Sequence, residues 1–289
     1  MIERGINFSA GPAALPEAVL QQAKEDILNW QSLGCGILEI GHRTEPFMAL
    51  LEETTALFKT ALNVPDNFSI IWLGMPTRTH FSAIPMNFLM PDEKAAYVAS
   101  GMWSEMAFNE AKRLYPNTSV CIGSGNAHSY KGLPIFEKAC DEAKYLYFTP
   151  NETVHGVRFY PSREMNTPWV ADMTSCILAE TIDFEPYACI FAGAQKNLAN
   201  AGLSVMLIRD DFLQQNPAST LPLTLDYRTH VKHNSLYVTP PTFNIYLANL
   251  TLKWLIQAGG VAHFEALSQT KASRLYQAID ASSIFKVMV

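Results

Sequence analysis

Apolar residues recur along this 289-residue chain in two rhythms. In residues 16–30, PEAVLQQAKEDILNW, Val19, Ala23, Ile27 and Trp30 fall on one stripe of a helix, and Pro16 suits its first turn. Helical spacing returns over 46–62 and 103–114, and again from 242 onward in TFNIYLANLTLKWLIQAGG and VAHFEALSQTKASRLYQAIDA. Between these segments lie short apolar runs at 69–73, 95–99, 119–122, 145–148, 169–171, 188–191 and 204–208, which read as strands. Strands alternating with helices predict an α/β fold in which a mainly parallel sheet is flanked by helices on both faces. The final SSIFKVMV reads as an apolar, strand-like end without a partner strand.

In such sheets ligands sit beyond the carboxyl ends of the strands. That rule selects the residues just after each run: 74–79, 101–103, 150–153, Asp172 and Lys196. Composition narrows the field. With 48% hydrophobic residues, the chain can bury one large core or two smaller ones. The net charge of −6 is spread without a basic stripe, which argues against a nucleic-acid partner. No apolar run approaches the 18 or so residues of a membrane span, and the opening MIERGINFSAGP lacks a signal-peptide core. The five cysteines and seven histidines show no metal spacing, so no metal is expected. The cysteines read as small buried hydrophobes in a reducing compartment, and the expectation is a cytoplasmic enzyme.

Lys196 stands out within CIFAGAQKNLANAGLSVMLIRDD, between two buried strands, among small residues and with no acidic neighbour. Such a lysine is either an exposed loop residue or an amine held for chemistry. Asp172, after the buried PWVA run, is either a turn aspartate or the partner of a protonated pyridine nitrogen. Trp103, opening a helix after Gly101-Met102, is either a core residue or a stacking surface. Thr77, Arg78 and Thr79 occupy a strand-to-helix turn, where free N–H groups and a cation suit a phosphate. A phosphate cradle, a ring, an acid and a lysine at successive strand ends together match the needs of pyridoxal 5'-phosphate.

The segments NFSAGPAALP, EIGHRTEPF, YFTPNETVHG, IFAGAQKNLANAGLSVMLIRDD and VTPPTFNIYLANLTLKWL carry a further resemblance. From the first residues to the last, the chain resembles the phosphoserine aminotransferases, fold-type I enzymes of the class V aminotransferases. The resemblance implies a homodimer with shared active sites that transfers an amino group between glutamate and 3-phosphooxypyruvate, giving O-phosphoserine and 2-oxoglutarate. It serves serine biosynthesis and, by homologous use, pyridoxine biosynthesis. It also implies roles position by position. Lys196 matches the lysine that bonds the cofactor and moves the proton, Asp172 the pyridinium partner, Trp103 the stacked ring and Thr153 a hydrogen-bond donor to the cofactor. Thr77, Arg78 and Gln195 fall at phosphate contacts. Val238 and Thr239 fall where the family reaches the neighbouring subunit's cofactor. His42 and Arg43 match the substrate-gripping pair, and Ser9 lies in the loop bordering the substrate. The implied organisation is a large cofactor domain over 16–258 and a small domain from 1–15 and 259–289.

The chain also departs from the family. In LGMPTRTHF, Met75, Pro76 and Thr77 replace glycines of the phosphate turn, and Pro76 has no N–H to offer. Val238 stands where the family favours asparagine. The family chain continues beyond position 289 to complete the small domain, with an arginine for the substrate α-carboxylate. Three readings follow: the aminotransferase, another class V enzyme such as a lyase or desulfurase, and a shortened homologue with impaired or no catalysis.

Overall fold

The computed structural model describes residues 4–123, 132–136, 142–215 and 220–286. All seven apolar runs are strands, and they join one eight-stranded sheet in the order β1-β10-β9-β8-β5-β2-β3-β4. The strands are β1 (Phe68–Leu73), β2 (Ala96–Ala99), β3 (Ser119–Gly123), β4 (Ile135–Phe136), β5 (Leu146–Phe148), β8 (Trp169–Asp172), β9 (Tyr187–Gly193) and β10 (Ser204–Arg209). A two-stranded hairpin, β6 (Asn151–Glu152) with β7 (Val157–Arg158), stands apart from it. Strands β3, β2, β5, β8 and β9 run parallel in sequence across the sheet. β10 is antiparallel to both β9 and β1, so β1 runs in the same direction as β9.

Side chains alternate between faces along a strand, so each strand feeds two cores. Trp72, Phe148, Trp169, Ala171, Ile190 and Val205 belong to one cluster, packed against α1 (Glu17–Asp26), α2 (Glu45–Leu62) and α7 (Thr242–Gln257). Ile71, Tyr147, Val170, Phe191 and Met206 belong to the other, under α3 (His80–Phe88) and α4 (Met102–Leu114). Because Val170 lies on the α3–α4 side, so does Asp172, two residues on. The same parity puts Phe191 and Gly193 there. The sheet is therefore buried on both faces, and its period-two pattern already assigns the chemistry to one of them.

Some expectations need correction. α1 stops at Asp26, leaving Ile27 40% exposed; Trp30 reaches the core from a separate 3-10 turn, edge-on to Tyr246 at 6.3 Å. The apolar pattern does not announce α3, because seven of its nine residues are buried and no stripe remains to be seen. Short α5 (Asp210–Gln214) and α6 (Tyr227–Lys232) were equally silent. After the left-handed Gly259 and Gly260, α8 (Gly260–Asp280) departs from the body with Val261 its one fully buried residue. Residues 284–286 form no strand, and Ile284 and Phe285 are exposed. Cys35, Cys176 and Cys189 are free, whereas Cys121 is disulfide-bonded, against the reading of every cysteine as a reduced thiol. Cys140 lies outside the described residues. No described helix is long and apolar enough to cross a membrane.

The α2 face can be tested directly. Phe58 is fully buried and meets Trp72 edge-on at 5.5 Å, while Trp72 Nε1 donates to Thr55 Oγ1 at 2.9 Å. Truncation there leaves a cavity between helix and sheet that neither can close. Phe58→Ala should cost about 3–5 kcal/mol in urea unfolding. A loss under about 1 kcal/mol would mean that this contact does not anchor α2 to the sheet.

Candidate active site

Five strands that point the same way, β1, β9, β8, β5 and β2, end around one cavity of about 220 Å³. Its walls come from the segment after each strand: Thr77, Arg78 and Phe81 after β1, Trp103 after β2, Thr149, Asn151 and Thr153 after β5, Asp172, Thr174 and Ser175 at β8, and Gln195 and Lys196 after β9. Gly11 closes it from the N-terminal segment. Seven residues selected from the sequence, Thr77, Arg78, Trp103, Thr153, Asp172, Gln195 and Lys196, thus line a single space.

Asp172 ends β8 and is buried. Its Oδ1 accepts from the Thr174 N–H at 3.0 Å and the Thr174 hydroxyl at 2.5 Å. The same hydroxyl accepts from Gly193 N–H at 3.1 Å, so β8 and β9 are stitched together at the cavity floor. Burial pushes the Asp172 carboxyl up to about 6; the Thr174 hydrogen bonds oppose this, and the nearby Glu152 charge adds to it. Among the described residues, no cation pairs with Asp172.

Opposite charge gathers at Thr77 and Arg78. The 3-10 turn Thr77–Thr79 leads straight into α3: the His80 N–H closes on the Thr77 carbonyl and the Thr79 N–H on Pro76, so the positive end of the combined turn and helix lies at Thr77 and Arg78. Gly193 is required beside it: a Cβ at that position would overlap Thr77 Oγ1 and the Gln195 amide. Arg78 extends over the Trp103 ring, 5.7 Å from its centroid, and has no carboxylate partner among the described residues. Trp103 is fixed in turn by its Nε1, which donates to Thr153 Oγ1 at 3.2 Å.

Lys196 Nζ donates to the Ala10 carbonyl oxygen at 2.5 Å, and Ala13 N–H donates to the Gln195 carbonyl at 2.8 Å. The N-terminal segment thus crosses the lysine. A side chain on Gly11 would come within 2.6 Å of Nζ. Lys196 faces no carboxylate among the described residues, which leaves its amine for covalent chemistry.

Ser9, His42, Arg43, Val238 and Thr239 do not line the cavity. Ser9 is exposed, next to Ala10. His42 and Arg43 form the turn before α2; His42 Nε2 is enclosed without a partner and Arg43 is exposed. Val238 and Thr239 precede Pro241, whose ring packs against Gly74 at the head of the 74–79 turn. The family expectation placed these two toward a second subunit.

Sequence reasoning missed His80 and Thr174. Thr174 was within reach: an Asp followed two residues later by a hydrogen-bonding N–H is an Asx turn. His80 could not be found locally, since its partners are distant. Its ring nitrogens lie 2.8 Å from Tyr227 Oη and 2.8 Å from Ser204 Oγ, joining α3 to α6 and β10. Burial pushes this imidazole down to about 3, so it stays neutral and pins the start of α3, just behind Arg78.

Comparison with known proteins agrees with this geometry. The aminotransferase class-V profile matches residues 6–289. A phosphoserine aminotransferase from Legionella pneumophila is 43% identical over 288 residues, covering 99% of this chain and 79% of that protein. The chain belongs to the phosphoserine aminotransferase family. A solved, PLP-bound phosphoserine aminotransferase from Trichomonas vaginalis superposes with a TM-score of 0.90 at 38% identity, covering 99% of this chain and 80% of the other. Another from Bacillus circulans subsp. alkalophilus gives 0.89 at 38% identity, over 95% of this chain and 76% of that one. The mainly parallel, helix-flanked sheet is the family's fold-type I architecture.

For this family member the buried acid gives a pH signature. A carboxyl raised from about 3.9 unfolded to about 6 folded costs stability as pH rises through that window, by roughly 3 kcal/mol once both states are ionised. Below about pH 4 the cost is absent. Asp172→Asn, which keeps an acceptor for Thr174, should therefore stabilise the cofactor-free protein at pH 8 and leave it unchanged or weaker at pH 4. Thermal melts at the two pH values check this; equal effects at both would place the buried charge elsewhere.

Proposed function

We propose that this chain transfers an amino group between glutamate and 3-phosphooxypyruvate, giving O-phosphoserine and 2-oxoglutarate, with pyridoxal 5'-phosphate as cofactor. The observation that carries the reading is the convergence of Lys196, Asp172, Trp103 and the Thr77–Arg78–Gln195 group on one cavity. That donor set fits the cofactor: a buried carboxylate short of a cation, a cationic turn short of an anion, a flat ring wall and an amine.

Bound there, the cofactor would supply an electron sink for the bond broken at the substrate's α-carbon. The protein's part is to hold and to move protons. Thr77, Arg78 and Gln195 bind the phosphate; Arg78 and the helix start supply positive charge where phosphate oxygens need it. Asp172 holds a proton on the pyridine nitrogen and is itself kept ionised by that positive charge. Trp103 forms the wall against which the ring lies, oriented by Thr153. Lys196 Nζ would hold the cofactor covalently and would carry a proton to and from the substrate's α-carbon. The Ala10 carbonyl of the N-terminal segment holds that amine in place. His42 and Arg43 grip the phosphorylated or acidic substrate.

Two further parts belong to this proposal. The chain works as a cytoplasmic homodimer, with Val238 and Thr239 reaching the partner's cofactor phosphate, and a role in pyridoxine biosynthesis would use the same cavity. Residues 16–258 form the cofactor domain, while 1–15 and 259–289 form part of a smaller one. The exposed Thr239, next to the turn at Gly74, supports the shared site.

Borohydride reduction of the loaded protein, followed by peptide mass mapping, should find the cofactor on Lys196, and Lys196→Ala should lose both the adduct and turnover. An adduct on another lysine would overturn the assignment. Incubation with glutamate and 3-phosphooxypyruvate should yield 2-oxoglutarate; release of sulfide or ammonia from an amino acid without it would favour the lyase or desulfurase reading. Light scattering should give twice 32.2 kDa; a monomer with cofactor bound would remove the shared-site proposal.

A further inference from the structure

At the start of helix α4 the Ser104 hydroxyl accepts from the Ser100 and Gly101 N–H groups at 3.0 and 3.1 Å, but the N-cap residue has no side chain to meet the N–H groups that follow. Position 101 is glycine, and the first turn's N–H groups are met from the hairpin β6–β7 some fifty residues later. Trp103 N–H donates to Glu152 Oε2 at 3.0 Å, Ser104 N–H donates to Glu152 Oε1 at 2.7 Å, and Met102 N–H reaches His155 Nδ1 at 3.4 Å. Glu152 is fully buried, yet its hydrogen-bond partners among the described residues are these two main-chain groups. With no lysine or arginine paired to it among the described residues, this buried carboxylate depends on the positive end of the helix for compensation.

The next residue continues the grip, since Thr153 Oγ1 accepts from the Trp103 indole at 3.2 Å. Backbone and ring of Trp103 are therefore held by two consecutive residues of one hairpin, the last of its first strand and the first of its turn. That hairpin is itself tied: Gly156 N–H donates to the Glu152 carbonyl at 2.9 Å, and Glu152 pairs with Val157. Gly101 has a reason of its own. A Cβ there would stand 2.5 Å from Glu152 Cγ and Cδ, so the usual Ser or Asp cap is excluded by the carboxylate that replaces it.

We propose that Glu152 is a positioning residue, which sets the plane of the Trp103 ring in the cavity by capping α4 from outside the helix. This rests on the cofactor reading above, in which Trp103 is the ring wall. Glu152 itself does not line the cavity; it reaches the ring wall through α4 and Trp103, beside the charge it adds near Asp172. An ordinary cap would stabilise the helix and leave the cavity indifferent; this one fixes the backbone of the residue whose side chain forms the wall.

The test compares Glu152→Ala and Gly101→Ala with Ala111→Gly, which weakens the same helix away from its start. In cofactor-free protein, exchange of the Trp103 indole N–H should quicken at least about tenfold in the first two variants, as expected for the loss of two charge-assisted hydrogen bonds. It should stay unchanged in Ala111→Gly. Pyridoxal phosphate affinity, followed by absorbance, should fall about tenfold in Glu152→Ala, and that loss should shrink to under about twofold when Trp103 is already alanine. Equal exchange in all three variants, or a full affinity loss in the Trp103→Ala background, would overturn the proposal. If the unaltered chain takes up no pyridoxal phosphate, the functional reading falls and the indole exchange alone decides on Glu152.

Discussion

A carboxylate buried without a cation is the constraint around which this molecule is organised. Asp172 sits at the end of a strand enclosed by helices on both sides, held by two hydrogen bonds from Thr174 and raised well above its ordinary range. Isolated buried charge is costly, and proteins normally neutralise it or pair it. Here no cation pairs with it among the described residues, and the Thr174 hydrogen bonds fix the oxygen's direction. The Thr174 hydroxyl, linking Asp172 to Gly193, makes that direction a property of the sheet.

The opposite pole of the cavity follows a matching logic. Arg78 and the turn that opens into α3 concentrate positive charge with no anionic partner among the described residues, and the neutral His80 behind them anchors the helix start without adding charge. Gly193, across the strand boundary, lets the Thr77 hydroxyl and the Gln195 amide approach where a Cβ would overlap both. Charge separation of this kind selects a ligand that is anionic at one end and cationic at the other. A phosphorylated, protonated pyridine is such a ligand.

Rigidity around the cavity comes from contacts between distant segments. The hairpin at 151–158 holds α4, the N-terminal segment crosses Lys196, and the 238–241 segment leans on the phosphate turn. Each tie has a main-chain group or a close approach at glycine on one side: the Trp103 and Ser104 N–H groups, the Ala10 carbonyl and Gly74. Preorganisation of this sort keeps reacting groups aligned before substrate arrives.

The alternation of apolar runs was enough to read the strands, the long helices and the strand-end rule that selected Lys196, Asp172, Trp103 and Thr77–Arg78, because burial on a two-sided sheet imposes its period directly on sequence. The motifs PNET and AGAQKN then identified the family. Helix α3 stayed hidden because burial on nearly every side erases the amphipathic stripe. The antiparallel sense of β10 is invisible in its apolar run, since a strand's pattern is the same in either direction. The roles of Glu152, His80 and Thr153 toward Trp103 and the phosphate turn were decided only in three dimensions. A capping oxygen or a neutral imidazole acts across tens to hundreds of residues of chain, and no local spacing records which groups the fold will bring within 3 Å of one another.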